Sequence, residues 1–551
     1  MLTCSFGQHK KMIFSLAALI FVLTALVIPN RISSITPLAF ACLPLEALII
    51  GLALLVPGRT GSLLHLLAAF LLASTIIVKA ADMGTYQAFG RPINPVLDAR
   101  FPADGLQLLQ GALGQMGAWF VVGLLVILLA GIFLLTYNAL SNLQGQIQRT
   151  RKTSTVALLA GLSIWIVGTL AGWSGVAKPF YDLANNHIEN IRHSSAELEN
   201  FNTLVDSDPY ATVANEALFD KLKGKDVLIV FVESYGRTVL DKADYATHIR
   251  PLLAKCSSEL TQNGWFARSA YLTSPTYGGI SWLAHGTLLS GLWINSQVRY
   301  DRLIMSQRPS LNKLFQSAGW RTVAVQPAHT LDWPQGAYFG YDKIYAAQDL
   351  GYRGQPFNWI TMPDQFTLSA LQSLERQPVT RQPVMAEIAL ISSHAPWTPL
   401  PQMVDWNQVG DGSIFNQARA GDAPETVWQT TERIREQYRK SIEYALSNIV
   451  SYAIHYGDEN LVILLLGDHQ PAPFVTDESN SHEVLVHLIS RDTKVITAVN
   501  EWQWSEGMLP AADAPALTMD KFRDRFIAAF SKPEAGLRML SAVNLQYINK
   551  R

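Results

Sequence analysis

Residues 461–471 read LVILLLGDHQP, and this stretch decides how the chain is understood. Six aliphatic side chains in a row predict a strand buried on both faces, as in parallel sheets. The strand stops at Gly467, and a carboxylate and an imidazole follow at once, Asp468 and His469. Open α/β sheets bind their ligands just beyond the carboxyl ends of the strands, so this pair stands where a metal ion could be held. Residues 227–234, VLIVFVES, repeat the pattern and end in Glu233, and two such strand ends can converge on one ion. The alternative is that Glu233 and Asp468 cap the helices that follow, since acids favour helix N-termini.

The chain of 551 residues is too long for one ordinary domain, and its mean hydropathy of +0.14 is high for a wholly soluble protein. The apolar excess lies before residue 180, in runs of about the twenty residues that a bilayer requires. About five spans are expected, near 12–29, 35–56, 62–78, 117–137 and 155–173. The first follows Lys10 and Lys11 but lacks a small-residue cleavage site, so it reads as a retained anchor and not a signal peptide. Lys10 and Lys11, Arg59, and then Arg149, Arg151 and Lys152 fall on alternate loops, which places those loops in the cytoplasm and the C-terminal part outside. Arg31, Arg91 and Arg100 oppose this, the last two from a long loop running from 79 to 115.

A net charge of −1, with no basic stripe carrying interleaved aromatics, argues against a nucleic-acid partner. Of the three cysteines, Cys4 is expected in the cytoplasm, Cys42 within a span and Cys256 alone in the exported part, which therefore holds no internal disulfide. Glu46 falls inside the second span, where an ionisable group is costly; it either handles a lipid headgroup or pairs with a neighbouring helix, His65 being one partner on offer.

Residues 1–177 are thus expected to form an α-helical membrane domain, 178–222 a linker with a juxtamembrane helix near 194–204, and 223–551 an extracytoplasmic α/β domain. In that last part, apolar strands near 227, 322, 385, 461 and 484 alternate with helices near 310–318 and 426–456, the pattern of a sheet covered by helices on both faces. The chain beyond 513 also reads as helical. Residues 274–292, SPTYGGISWLAHGTLLSGL, read as a glycine turn feeding a helix. That places the Ser281 hydroxyl at the positive end of the helix, which suits an alkoxide or a phosphoryl oxygen, although a serine there can equally be a plain N-cap.

At these residues the chain resembles the alkaline phosphatase and sulfatase superfamily, and within it the membrane-anchored lipoteichoic acid synthases and phosphoethanolamine transferases. The resemblance rests on VLIVFVES with Glu233, on SWLAHGTLLSGL with Ser281, on Gly467-Asp468-His469, and on Ser393-His394 with Pro396. It implies a sulfatase-like (alkaline phosphatase-like) fold for the exported domain. It further implies a Mn2+ or Zn2+ ion held by Glu233, Asp468, His469 and Ser281, with Ser281 as nucleophile and His394 and His285 steadying phosphoryl oxygens or protonating the leaving group. Trp333, Gln335, His482 and Thr287 are the candidates for substrate contact. Where the synthases carry a histidine and an arginine around the segment QPAHTLDWPQ, this chain has Gln326 and Gln335. A neutral amide offers hydrogen bonds without charge, which leaves the substrate open. Ser281 is followed by Trp282, Leu283, Ala284 and His285, and so lacks the proline and arginine that formylglycine-forming sulfatases need.

The implied activity is transfer of a phospholipid-derived headgroup, of phosphoglycerol or phosphoethanolamine type, to an envelope glycan or lipid at a bacterial-type inner or cell membrane. Two alternatives stand beside it. A membrane-bound phosphodiesterase, phosphatase or sulfatase-like hydrolase would use the same residues, and a non-catalytic envelope scaffold or sensor would not need them intact.

Overall fold

The computed structural model describes residues 2–533 apart from 90, 100, 212, 214, 331, 332, 358, 359, 478 and 480. It divides into two compact units, one of residues 1–87 and 91–197, the other of 88–90 and 198–551.

The first unit is helical. Three of its helices, Gly58–Ala88, Phe101–Arg149 and Arg151–Leu170, are long and apolar enough to cross a membrane. The expectation of five spans is not met among the described residues. The apolar part of the first helix is Ile13–Val27, and only Leu45–Leu54 is helical within the expected second span. Proline explains the short second segment: Pro37 opens a 3-10 turn, and Pro44 ends a two-residue strand, Leu43–Pro44, that pairs in parallel with Val176–Ala177. A ten-residue helix is about 15 Å long at ~1.5 Å per residue, half of a hydrocarbon core. The expected loop from 79 to 115 is also mostly helix, since Gly58–Phe89 runs past residue 78 and the next helix begins at Phe101. Along that next helix Leu124 to Leu128 are all exposed, an apolar surface facing every direction, as lipid contact demands.

Glu46 does not pair with His65. Its Oε1 accepts the amide N–H groups of Phe180 and Tyr181, each at 3.0 Å, and so caps the helix Pro179–Val205. His65 faces the Tyr137 carbonyl at 3.2 Å instead.

The second unit is built on a nine-stranded sheet. In chain order the strands are β1 (Asp226–Val232), β2 (Phe266–Thr273), β3 (Arg321–Gln326), β4 (Lys343–Ala346), β5 (Val384–Leu390), β6 (Leu461–Gly467), β7 (Glu483–Ser490), β8 (Ser505–Glu506) and β9 (Ala516–Thr518). Their spatial order is β8-β2-β7-β6-β1-β5-β3-β4, with β9 also pairing β2. The run from β6 to β4 is parallel, and β7 and β2 close the other side antiparallel. Every residue of β1 and β6 is buried, which explains their unbroken apolar sequence.

Helices α1 (Ala243–Gln262) and α3 (Thr431–Tyr456) cover one face of the sheet through Leu253, Leu260, Ile442 and Ile449. Helices α2 (Ser281–Ser290) and α4 (Met519–Phe530) cover the other through Leu283, Leu288, Phe522 and Phe526. Both faces are therefore dry, as an α/β sheet requires. The helix expected near 310–318 is present as Leu311–Ser317, capped by the Ser310 hydroxyl. Residues 534–551, part of the helical stretch expected beyond 513, lie outside the described residues. At the N-terminal end of β1, buried Asp226 binds Arg376, Arg381 and the Val384 amide, clamping β1 to β5 at the end opposite the site.

Candidate active site

Three neighbouring parallel strands stop level with one another. Val232 of β1 is in register with Gly467 of β6 and with Leu390 of β5. The residues that follow, Glu233, Asp468 with His469, and Ser393 with His394, are delivered together to the carboxyl edge of the sheet.

Ser234 adopts a left-handed conformation, φ 59°, and ties two of these ends together. Its amide donates to Asp468 Oδ1 at 2.8 Å and its hydroxyl to Glu233 Oε1 at 2.9 Å. The His469 amide also donates to Asp468 Oδ1, at 2.7 Å. His469 commits Nδ1–H to the Gln470 carbonyl at 2.8 Å, so Nε2 is the atom that faces the acids, 3.3 Å from Glu233 and 3.6 Å from Asp468. One ligand-type atom from each of Glu233, Asp468 and His469 falls within 4.8 Å of the other two, and all three residues are buried. Two carboxylates and an imidazole oriented by its second nitrogen form a donor set that fits a divalent ion such as zinc or manganese.

The charges respond to this crowding. Burial acts to raise the Glu233 carboxyl, yet the His394 and His469 charges hold it well below the usual carboxylate range. Asp468 is raised, first by burial and then by the neighbouring Glu233 charge. Burial works against a charged His469, but the Asp468 and Glu233 carboxylates outweigh it and lift the imidazole to about 9. In the absence of metal the acids hold a proton on His469 in place of the cation.

Ser281 joins this cluster as the first residue of α2. Its Oγ lies 3.1 Å from Glu233 Oε2 and 3.2 Å from His469 Nε2. The turn that brings it there passes through Gly278 and Gly279, both at positive φ, and then through Ile280, a β-branched residue held at φ 64°.

His394 follows β5 directly. The Ser393 hydroxyl donates to the Glu233 carbonyl at 2.6 Å, and Trp397, at φ 63°, donates from its indole N–H to the Ser393 carbonyl at 2.8 Å. Asp364, which the sequence did not single out, accepts the amides of Ile391 and Ser392, both at 2.9 Å, and so fixes the start of this turn. His285 sits one turn after Ser281 on α2, its ring stacked on Phe231 at 3.7 Å. His482 bonds the Ser274 carbonyl at 3.2 Å, and the Ser274 hydroxyl in turn donates to the Asp468 carbonyl at 2.5 Å. Burial pushes the His482 imidazole down.

The structure does not bring Thr287 to the site. It is fully buried on α2, its hydroxyl bonded to the Leu283 carbonyl and receiving the Ile294 amide, so it shapes the exit from the helix. Trp333 packs in a separate aromatic group, 5.0 Å from the His329 ring and 6.1 Å from Tyr341. Gln335 stands before the short helix Gly336–Phe339 and makes no side-chain cap bond.

Residues 225–495 match the family model described as Sulfatase. This part of the chain is a sulfatase-family domain. No curated protein matches the chain in sequence. Among solved structures, the chain is similar to the lipoteichoic acid synthase LtaP from Listeria monocytogenes, at 16% identity over 52% of this chain and 70% of that one, with a TM-score of 0.34. It is similar also to the phosphoglycerol transferase GacH from Streptococcus pyogenes, solved with sn-glycerol-1-phosphate, at 13% identity over 64% and 85% with a TM-score of 0.39. The C-terminal periplasmic domain of EcEptC from Escherichia coli, solved with zinc, shows 14% identity over 55% and 81% with a TM-score of 0.37. Within the sulfatase-family domain, the match begins one residue before β1 and ends past β7, so it spans every strand end that supplies the cluster.

Proposed function

We propose that the chain is a membrane-anchored phosphotransferase. It moves a phospholipid-derived headgroup, of phosphoglycerol or phosphoethanolamine type, onto an envelope glycan or lipid through a covalent phosphoester on Ser281. The observation that carries this reading is the Ser281 hydroxyl at a helix N-terminus, 3.1 Å from Glu233 and 3.2 Å from His469. A manganese or zinc ion held by Glu233, Asp468 and His469 would supply the charge that lowers the pKa of the Ser281 hydroxyl.

The work of the chain's own residues follows from their positions. Ser281 Oγ forms a bond to phosphorus as the diacylglycerol oxygen departs, and an acceptor hydroxyl then takes the group and restores the serine. The positive N-terminal end of α2 favours the phosphoryl oxygens beside Ser281. His394 and His285 hydrogen-bond those oxygens or protonate the leaving one. His482, joined to the Asp468 carbonyl through Ser274, belongs to the wall that reads the headgroup. The apolar helices of the first unit anchor the enzyme in a bacterial-type inner or cell membrane, with the sulfatase-family domain on the extracytoplasmic side, where lipid headgroups present their phosphates.

The competing reading is release of the same group to water, which uses the same residues and differs only in the acceptor. The test is incubation of the purified full-length protein with Mn2+ or Zn2+ and a labelled phospholipid mixture, followed by mass analysis of the Ser281 peptide and of the lipids. A metal-dependent adduct on Ser281 together with matching diacylglycerol is expected, and both vanish in Ser281→Ala. Free headgroup with no acceptor dependence assigns a hydrolase, and a fully active Ser281→Ala protein overturns the nucleophile.

A further inference from the structure

Strand β5 reads VMAEIAL, and its middle residue, Glu387, is an acid in the centre of a parallel sheet with only 1% of its surface exposed. Acids are almost never buried so deeply without partners. Glu387 has two. Its Oε1 lies 2.6 Å from His285 Nδ1, and its Oε2 accepts the Tyr341 hydroxyl. Neither bond belongs to the cluster of Glu233, Asp468 and His469.

The register of the sheet shows how these groups are stacked. Glu387 is level with Ile229 of β1, and side chains two apart on a strand share a face, so Ile229, Phe231 and Glu233 rise in steps along the face where Glu387 lies. Ser281 bonds Glu233 at the top step, and the His285 ring lies flat on Phe231 one step below. Ser281 and His285 are four residues apart on α2 and so share one side of that helix. Glu387 takes the lower edge of the imidazole at Nδ1. With Nδ1 taken by Glu387, Nε2 is the ring nitrogen left for another partner. The charged and titratable groups that act on His285 are Glu387 from β5, His329 from the segment after β3, and Asp468 from the end of β6.

We propose that Glu387, supported by Tyr341, is a positioning residue that fixes His285 with Nδ1 protonated and Nε2 facing the phosphoryl group at Ser281. The carboxylate accepts the Nδ1–H, so Nε2 is the ring nitrogen offered to the phosphoryl group. Tyr341 closes the second lone pair of the acid and stops Glu387 from turning away. Phe231 supplies the flat support that keeps the ring from swinging. An apolar residue at position 387 would leave the His285 ring free to turn either nitrogen toward Ser281. This role for His285 rests on the phosphotransferase reading, but the pairing with Glu387 does not.

The experiment joins two readouts on the full chain in detergent. The first is the 15N spectrum of histidine-labelled protein, with His285 assigned by its loss in His285→Gln. The wild type is expected to show His285 carrying its ring proton at Nδ1, and Glu387→Gln to show a mixture of the two tautomers. A wild-type His285 bare at Nδ1 overturns the proposal without any variant having to fold. The second readout is the initial rate of Ser281 adduct formation. Glu387→Gln should lower kcat about 10- to 100-fold, the range found for groups that orient a ligand from behind. KM should hold, and His285→Gln with Glu387→Gln combined should be no slower than His285→Gln alone. Multiplicative losses would show that Glu387 acts apart from His285 and would refute the positioning role. If the wild type forms no adduct, the phosphotransferase reading fails, and the nitrogen spectra still decide the pairing.

Discussion

At neutral pH the metal-free site holds His469 as an imidazolium, because Asp468 and Glu233 lift its pKa to about 9. A metal ligand must be the neutral imidazole, so each ion that binds has to expel this proton. At pH 7 the group lies two units below its pKa and is almost wholly protonated, so about one proton leaves per ion. The opposing cost is ~2.7 kcal/mol relative to pH 9, at ~1.4 kcal/mol per unit, and the apparent affinity should rise about tenfold for each unit of pH up to about 9. Asp468, also raised, adds part of a second proton in mildly acidic solution. Calorimetric titration with Mn2+ at pH 7 in two buffers of different ionisation enthalpy measures the release directly. His469→Gln should bind more weakly and release much less. A wild-type release well under half a proton, or an affinity flat between pH 6 and 8, would refute the assignment of a charged His469 to the metal-free cluster.

Two further outcomes concern stability. His487 is fully buried on β7, with Nδ1 on the Ser269 hydroxyl, which itself donates to the Gly507 carbonyl, and with Nε2 facing the Tyr235 hydroxyl. Burial pushes its pKa from 6.5 down to about 3, so stability present above pH 6.5 is lost as pH falls toward 3. The loss is on the order of 4 to 5 kcal/mol, and a denaturant series over that window should show a slope that His487→Gln reduces. Asp226→Ala should cost about 3 to 5 kcal/mol, because buried Arg376 would keep only the exposed Asp458, at 3.9 Å, as an ionic partner. Urea unfolding followed through the tryptophans checks this, and a loss under 1 kcal/mol would show that the clamp is dispensable.

The parts of the fold that were legible in the sequence are those where burial leaves one reading. β1 and β6 are apolar because both faces are covered, and the acids at their ends stand out against that background. Strand β2 was not anticipated, because FARSAYLT mixes polar residues into a strand that borders the antiparallel side of the sheet. Helix α1 is obscured in the sequence because Pro251 lies inside it, although Tyr245, Ile249, Leu253, Cys256 and Leu260 fall on one buried stripe. The second membrane span differs for the opposite reason: its long apolar run is interrupted by Pro37 and Pro44. In the site, Glu233, Ser281, Asp468 and His469 converge as their local patterns suggested. Asp364 and Glu387 escaped notice because their partners come from distant segments. Glu387 did carry a signal, a lone acid inside an otherwise apolar strand.

Of the six non-glycine residues with positive φ among those described, three lie close to the candidate site residues: Ser234 after Glu233, Ile280 before Ser281, and Trp397 three residues after His394. Each such conformation costs on the order of 1–3 kcal/mol and persists only where its surroundings enforce it. The site is thus a set of cocked springs, held by the sheet beneath. Glycine at position 280 would release one of them at once, and a laboratory selection for heat tolerance alone would be drawn to that change. The hardened protein would keep its donor atoms but lose the fixed angle of Ser281, so, if the proposed nucleophile is right, a screen for thermal endurance alone would select against turnover.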